Sequence, residues 1–305
     1  MTINAIETFD LTKKYKLKGK NKEILALNKA NLKIKEGTIF GLLGPNGAGK
    51  TTMIQILTTL LQPTSGYALI DGFDVLKKPR KTKDRIALML ESDMIYYRVS
   101  GYDNLKFYCK IYKIPNFKKK IINISKEFGL DKWLNQYVEK YSSGMKMKLA
   151  LCRTLLIDRK FLFLDEPTLG LDVKSISFII KKLKGLNKTI FMTSHDMSVV
   201  EKLCDSIAFI NNGNILKIGP PNEIKKLMQT ELVIVVDINK NQNQLKSELT
   251  QSNFIDKVEN TREGLQVYLR DRKNYKNLFH VLSKYDILKL TEKELSLEEL
   301  FLKLV

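Results

Sequence analysis

The chain has 305 residues and a formal net charge of +19, from 52 lysines and arginines against 33 acidic residues, with 44% hydrophobic content. No run approaches the roughly 18 to 20 apolar residues that cross a bilayer, and residues 1–10 lack a basic segment followed by an apolar one, so neither a membrane span nor a signal peptide is expected and the chain reads as cytosolic. Cys109, Cys152 and Cys204 stand far apart and form no CxxC pair, which predicts reduced, buried thiols and argues against a metal site. The positive charge is spread along the chain. It fits lysines on solvated faces as well as it fits nucleic acid or an anionic membrane surface, and decides nothing alone.

Residues 6–11 and 24–34 predict strands on either side of a Lys/Gly-rich turn at 16–22, with Glu36 and Gly37 turning the chain afterwards. Tyr15 carries a ring that either stacks on an adenine face or packs on the hairpin. Residues 38–43 form an apolar run of strand length, and 53–61 carry Met53, Ile54, Ile56, Leu57, Leu60 and Leu61 at helical spacing. Between them stands Gly44-Pro45-Asn46-Gly47-Ala48-Gly49-Lys50-Thr51-Thr52. Strand, glycine loop and helix follow the order that a P-loop requires. Its glycines let several N–H groups point inward at a helix N-terminus, where partial positive charge collects. Lys50 adds a full charge for the β- and γ-phosphates, and the Thr51 hydroxyl is placed to ligate Mg²⁺.

Beyond the loop come a turn at 62–66, a strand at 67–70, a basic stretch at 77–85 and an apolar run at 86–90 that stops at Glu91, Ser92 and Asp93. From 100 to about 141 the pattern turns helical. Ser100 is an N-cap, Tyr102, Leu105, Cys109 and Tyr112 share a face, Pro115 ends the helix, and further helices are predicted at 121–128 and 133–138. An all-helical insertion thus interrupts an α/β frame. Ser142, Ser143 and Gly144 then open another helix, where they either cap free N–H groups or present them to an anion.

Residues 161–164 are four consecutive apolar residues, as in a central parallel strand, and Asp165 and Glu166 end it where an open α/β sheet binds ligand. Asp165 is suited to hold Mg²⁺ through water and Glu166 to polarise a water molecule. Leu169-Gly170-Leu171-Asp172 leads into a helix, and a strand at 189–193 ends at Ser194-His195-Asp196, placing His195 at another strand's carboxyl end. A hairpin turns at Asn212-Gly213, and Gly219-Pro220-Pro221 breaks the chain. Residues from about 230 predict strand, helix, hairpin, helix and strand, an order that resembles a βαββαβ sandwich, then a helix with Leu297, Leu300 and Phe301. Nothing in that part looks catalytic.

Taken together, the P-loop at 44–51, the Ser142-Ser143-Gly144 helix start, the Asp165-Glu166 strand end, residues 169–172 and His195 resemble the ATP-binding subunit of ABC transporters over residues 1–225. Residues 230–305 look like the small appended domain of the drug and antibiotic export branch, in which the membrane permease is a separate polypeptide. The resemblance implies an α/β fold: a P-loop NTPase core with a RecA-like sheet, an N-terminal antiparallel β subdomain, a helical insertion at about 94–158 and a small C-terminal α+β domain. It implies an ATPase in which two subunits face head to tail, each ATP held between one P-loop and the partner's signature helix. Tyr15 then stacks on adenine, the loop N–H groups and Lys50 hold phosphates, and Thr51, Glu91 and Asp165 surround Mg²⁺. Glu166 is the implied general base, His195 the γ-phosphate contact, and Ser142, Ser143, Gly144 and Asp172 belong with the nucleotide-binding residues.

Two positions depart from the family. The signature is usually LSGGQ and here reads Tyr141-Ser142-Ser143-Gly144-Met145; Met145 cannot make the polar ribose contact of Gln. Glu91 stands where the family has Gln, keeping a side-chain oxygen of similar reach and losing an NH₂ donor. Both resemble subtype marks of the export branch. The partners implied are a permease at the cytoplasmic face of the membrane and an identical or paired ATPase subunit; nucleic acid is not expected. A soluble ABC ATPase acting on ribosomes, nucleic acid or cofactor assembly is the alternative, with the +19 charge as its only support. A non-hydrolysing regulator would rest on Glu91 and Met145 against Glu166 and His195.

Overall fold

The computed structural model describes residues 4–16, 23–90, 95–228, 232–293 and 296–304. It divides into two compact units, Met1–Pro221 and Asn222–Val305. In chain order the first contains β1 (Asn4–Lys16), β2 (Glu23–Lys35), β3 (Ile39–Leu43), α1 (Lys50–Leu57), β4 (Ser65–Ile70), β5 (Phe73–Asp74), α2 (Pro79–Lys83), β6 (Ile86–Met89), α3 (Gly101–Ile111), α4 (Phe117–Glu127), α5 (Ser143–Leu156), β7 (Phe161–Asp165), α6 (Val173–Lys184), β8 (Thr189–Ser194), α7 (Met197–Leu203), β9 (Ser206–Asn211) and β10 (Asn214–Gly219).

Two sheets organise this unit. Strands β2-β1-β4-β5 form an antiparallel sheet, and β10-β9-β3-β8-β7-β6 form a second sheet whose pairs from β9 to β6 are all parallel. Every residue of β3, β7 and β8 is buried, as unbroken apolar runs such as Phe161 to Leu164 require when both faces of a sheet are covered. Helix α1 lies between the sheets: Met53, Ile54, Ile56 and Leu57 share one apolar cluster with Leu11, Leu27 and Leu32 of the antiparallel sheet and Phe40, Phe163 and Phe191 of the parallel one. Burial of these side chains between two sheets therefore holds the helix, and each contributes about 1.5–3 kcal/mol. Asp71, after β4, is gripped by Arg85 Nε at 2.7 Å and Lys160 Nζ at 2.9 Å, tying the two sheets at a second point.

Three local expectations are corrected. The helix after the P-loop runs from Lys50 to Leu57 instead of 53–61: Gly49, at φ 107°, opens it, and Thr59, at φ 65°, ends it. The helix expected at 121–128 begins earlier, at Phe117. Residues 133–138 are not a helix. Short 3₁₀ turns at Asp131–Trp133 and Val138–Lys140 flank a stretch whose carbonyls bond elsewhere, Leu134 O accepting from Tyr102 N and Gln136 O from Gly101 N, while Val138 N donates to Val99 O. Tertiary hydrogen bonds satisfy groups that an isolated helix would have paired internally.

The second unit contains α8 (Pro221–Met228), β11 (Leu232–Ile238), α9 (Gln242–Thr250), β12 (Ile255–Thr261), β13 (Gly264–Leu269), α10 (Tyr275–Leu282), β14 (Ile287–Lys293) and α11 (Leu297–Leu304). Its antiparallel sheet has the order β12-β13-β11-β14. That is a split βαβ arrangement, with Leu245, Leu249, Leu278 and Leu282 of the helices packed on Ile234, Val236 and Val267.

Candidate functional site

Strand β3 ends in the glycine loop, and two of the loop's glycines are there for space. A Cβ on Gly44 would lie 2.1 Å from the Ile210 carbonyl oxygen, and one on Gly49 would lie 2.3 Å from that of Ala26. The turn between β9 and β10 braces the same loop, Gly213 N donating to Ala48 O at 3.0 Å while its own carbonyl accepts from Asn28 N at 2.9 Å. The hairpin is legible in the sequence, but its contact with the P-loop is not.

The parallel register brings the remaining groups to this loop. The Lys50 ammonium donates to Gly44 O at 2.7 Å and Pro45 O at 3.3 Å, and lies 3.2 Å from Glu166 Oε1. That oxygen is buried and accepts no hydrogen bond, so the contact is an ion pair without hydrogen-bond alignment. Glu166 Oε2 lies 3.0 Å from His195 Nδ1, linking the ends of β7 and β8. Asp165, 3% exposed, accepts the Thr51 hydroxyl on Oδ2 at 3.0 Å and the Thr193 hydroxyl on Oδ1. Together with Pro45, Asn46, Gly47, Gly49 and Thr52, the residues Lys50, Thr51, Asp165, Glu166 and His195 line one cleft of about 400 Å³.

Thr193 was not foreseen. Its hydroxyl donates to Asp165 and accepts the Glu166 backbone N–H at 3.1 Å, so one side chain orients the Asp165 carboxylate and pins the backbone of Glu166. The pairing Asp165↔Thr193 in the parallel ladder sets this up, and nothing in the local sequence around residue 193 reveals it. Thr193→Val keeps the volume but leaves both groups without their partner. The expected cost is about 1–3 kcal/mol of stability, measured by denaturant unfolding, with slower turnover even where the chain stays folded.

Other predicted residues stand apart from the cleft. Tyr15 is not among its lining residues; its hydroxyl lies 3.4 Å from Thr52 Oγ1, and Lys13 Nζ sits 5.3 Å from its ring centre. Ser142 caps α5, accepting Met145 N at 3.3 Å, Ser143 Oγ is 3.4 Å from Gly170 O, and Gly144 faces Ser175. None of the three lines the cleft. Asp172 caps α6, accepting Ser175 N at 2.8 Å, and that bond lowers its pKa. Tyr141 is a core anchor: its buried hydroxyl donates to Trp133 O at 2.7 Å, and burial pushes its pKa up to about 12. Glu91 lies outside the described residues. The three cysteines are free and buried, and burial raises each thiol's pKa.

The donor set suits a hard cation. A buried carboxylate and a hydroxyl sit side by side at the cleft, the oxygen ligands that Mg²⁺ takes alongside waters and phosphates. No group of three metal-ligating side chains converges among the described residues.

Residues 27–169 match the ABC transporter family, and residues 219–305 match the C-terminal domain of DrrA1-3-like ATP-binding proteins. The chain is 36% identical over 306 residues to the bacitracin transport ATP-binding protein BcrA of Bacillus licheniformis, covering 98% of this chain and 97% of that one. It is 38% identical over 192 residues to a fluoroquinolones export ATP-binding protein of Mycobacterium tuberculosis, covering 62% of this chain and 63% of that one. Among solved structures, a dimeric ATP-binding cassette in a post-hydrolysis state with ADP and Pi superposes with a TM-score of 0.65 at 26% identity, over 70% of this chain and 98% of that one.

Proposed function

Since the chain belongs to the ATP-binding proteins of ABC transporters, we propose that it hydrolyses ATP as one of two facing subunits and so powers export by a separate membrane permease. The observation that carries this reading is a division of the predicted residues. Lys50, Thr51, Asp165, Glu166 and His195 share one cleft, whereas Ser142, Ser143 and Gly144 stand at the start of a helix outside it. A site that needs both sets is completed by a second copy.

In this reading the P-loop N–H groups and Lys50 bind the phosphates, while Glu166 accepts a proton from the attacking water. His195, at 3.0 Å from Glu166, holds that carboxylate's orientation and reaches the γ-phosphate. Thr51 and Asp165 would hold Mg²⁺, which when bound offsets negative charge on the β- and γ-phosphates. Positioning and charge neutralisation are sufficient for phosphoryl transfer to water. Tyr15 would stack on adenine after turning from Thr52, and Asp172 would act at the facing surface.

No helix among the described residues is long and apolar enough to cross a membrane. The permease contact we assign to an apolar depression lined by Ile95, Tyr96, Val99 and Phe107, where Tyr96 is half exposed and edge-on to Phe107 at 5.3 Å. Docking there would place the chain on the cytoplasmic face of the membrane as a peripheral subunit.

Ser142→Ala removes the hydroxyl offered to the partner's nucleotide and should lower turnover about 10- to 100-fold, as loss of a hydrogen bond to a charged group does. Mixed with a Lys50→Ala chain, it should reach a turnover above that of either variant alone, because one of the two composite sites is then intact. A mixture no more active than the separate variants would dismiss the two-chain site.

A further inference from the structure

Residues 76–85 carry six cations and one acid, Asp84, against 52 cations and 33 acids in the whole chain. Two of the six are engaged locally. Arg85 donates to Asp71 Oδ2 at 2.7 Å and to Lys81 O at 2.8 Å, and Lys77 Nζ lies 4.0 Å from Asp74 Oδ2. Lys78, Arg80, Lys81 and Lys83 are exposed and make no ion pair among the described residues, unlike Lys160, Lys182 and Lys188, each of which meets a carboxylate.

These four charges are held close to one another. Thr82, fully buried, pins α2 and donates its hydroxyl to Lys78 O at 3.3 Å, while the Phe73 ring lies 5.2 Å from Lys81 Nζ and 5.7 Å from Lys78 Nζ. Like charges gathered in this way repel, and the approach of anions relieves the repulsion. Helix α2 leads into β6, the edge strand of the parallel sheet, and the apolar depression assigned to the permease begins at Ile95, beyond the other end of that strand. A permease seated there draws the β6 edge of the sheet, not the β10 edge, toward the bilayer.

We propose that α2 and its flanks rest on the anionic head groups of the membrane in which the permease sits, an inference that depends on the reading of the chain as a permease-bound subunit. A bilayer presents many phosphates at a broad surface and asks for no fixed spacing among the cations that meet it. Leu76, 39% exposed beside Lys77, adds an apolar side chain of the kind that interfacial segments carry and that a free anion would leave uncovered. Nucleic acid fits less well. The five residues of α2 are too few to follow a duplex groove, and the cluster's one ring, Phe73, is flanked by Lys78, Lys81 and Arg85, which leaves no free face for a base.

The test is cosedimentation of the full chain with permease-free vesicles, of phosphatidylcholine alone and of phosphatidylcholine with about a third phosphatidylglycerol. Binding to the anionic vesicles only, weakening as salt is raised, is expected. Each cation near such a surface is worth about fivefold in partition, so changing Lys78, Arg80, Lys81 and Lys83 together to Gln should lower it about fiftyfold or more. Changing Lys240, Arg262, Lys273 and Lys276 to Gln removes the same charge from exposed sites in the second unit and should alter partition by no more than about threefold. Retained ATP binding in both variants verifies that the fold is intact. Equal binding to neutral vesicles, equal losses in the two variants, no loss in the first, displacement by inorganic phosphate beyond that by chloride at matched ionic strength, or tighter binding to a DNA duplex or to polyglutamate would each overturn the proposal. The vesicles hold no permease and the Ser142→Ala mixing experiment needs no lipid, so failure of this contact and failure of the two-chain site are read separately.

Discussion

Glu166→Gln is expected to stop steady-state ATP hydrolysis while leaving ATP bound, with turnover falling about 10²- to 10⁴-fold, the contribution of a positioned general base. The amide keeps the length and shape of the side chain but cannot take a proton. It also removes the negative charge 3.2 Å from Lys50 Nζ, so the lysine enters the nucleotide complex without first giving up an ion pair. Affinity for ATP should therefore be unchanged or higher, and the ATP-bound dimer should accumulate, visible as a doubling of mass by light scattering in Mg·ATP. Turnover as fast as the parent's would remove the general-base assignment. A variant that stays monomeric with saturating nucleotide would count against closure around two shared sites.

Lys50→Ala is expected to lose nucleotide binding. Two effects add. The ammonium supplies charge-assisted contacts to phosphate worth about 1.5–3 kcal/mol, or roughly 10- to 100-fold in Kd. It also bonds to Gly44 O and Pro45 O, holding the first residues of the loop in their curl. Its removal further leaves Glu166 Oε1 buried without its cation. The chain should still fold, because α1 is anchored by Met53, Ile54, Ile56 and Leu57 between two sheets and not by the lysine. Equilibrium binding of a labelled nucleotide checks the first point and thermal unfolding the second. An unchanged Kd would contradict the phosphate role of Lys50.

Much of the site is legible along the chain because its parts are local. A glycine-rich loop between a strand-length apolar run and a helix, and two acids ending another such run, are patterns a few residues long whose chemistry depends on backbone geometry at strand ends. The helical insertion was less legible. Residues 133–138 carry a helix-compatible composition, yet their backbone pairs with Val99, Gly101 and Tyr102, more than thirty residues earlier, and local propensity holds no record of such partners. The small C-terminal sheet followed from alternating strand and helix patterns, whereas its strand order is a tertiary fact.

The motifs' identity and order were enough to establish an ATP-binding chain of the ABC type, since nucleotide chemistry requires those residue types at that spacing whatever surrounds them. The three-dimensional packing alone decided which groups meet. Adjacent parallel strands placed Thr193 between Asp165 and Glu166, and the Gly213 turn came to rest under Ala48. Packing also kept Ser142 away from the Lys50 cleft and gathered Arg153 and Arg159 beside the edge strand. Each of these pairings joins residues distant in the chain, and distances of that kind are set by sheet register and helix packing, which act only once the chain has folded.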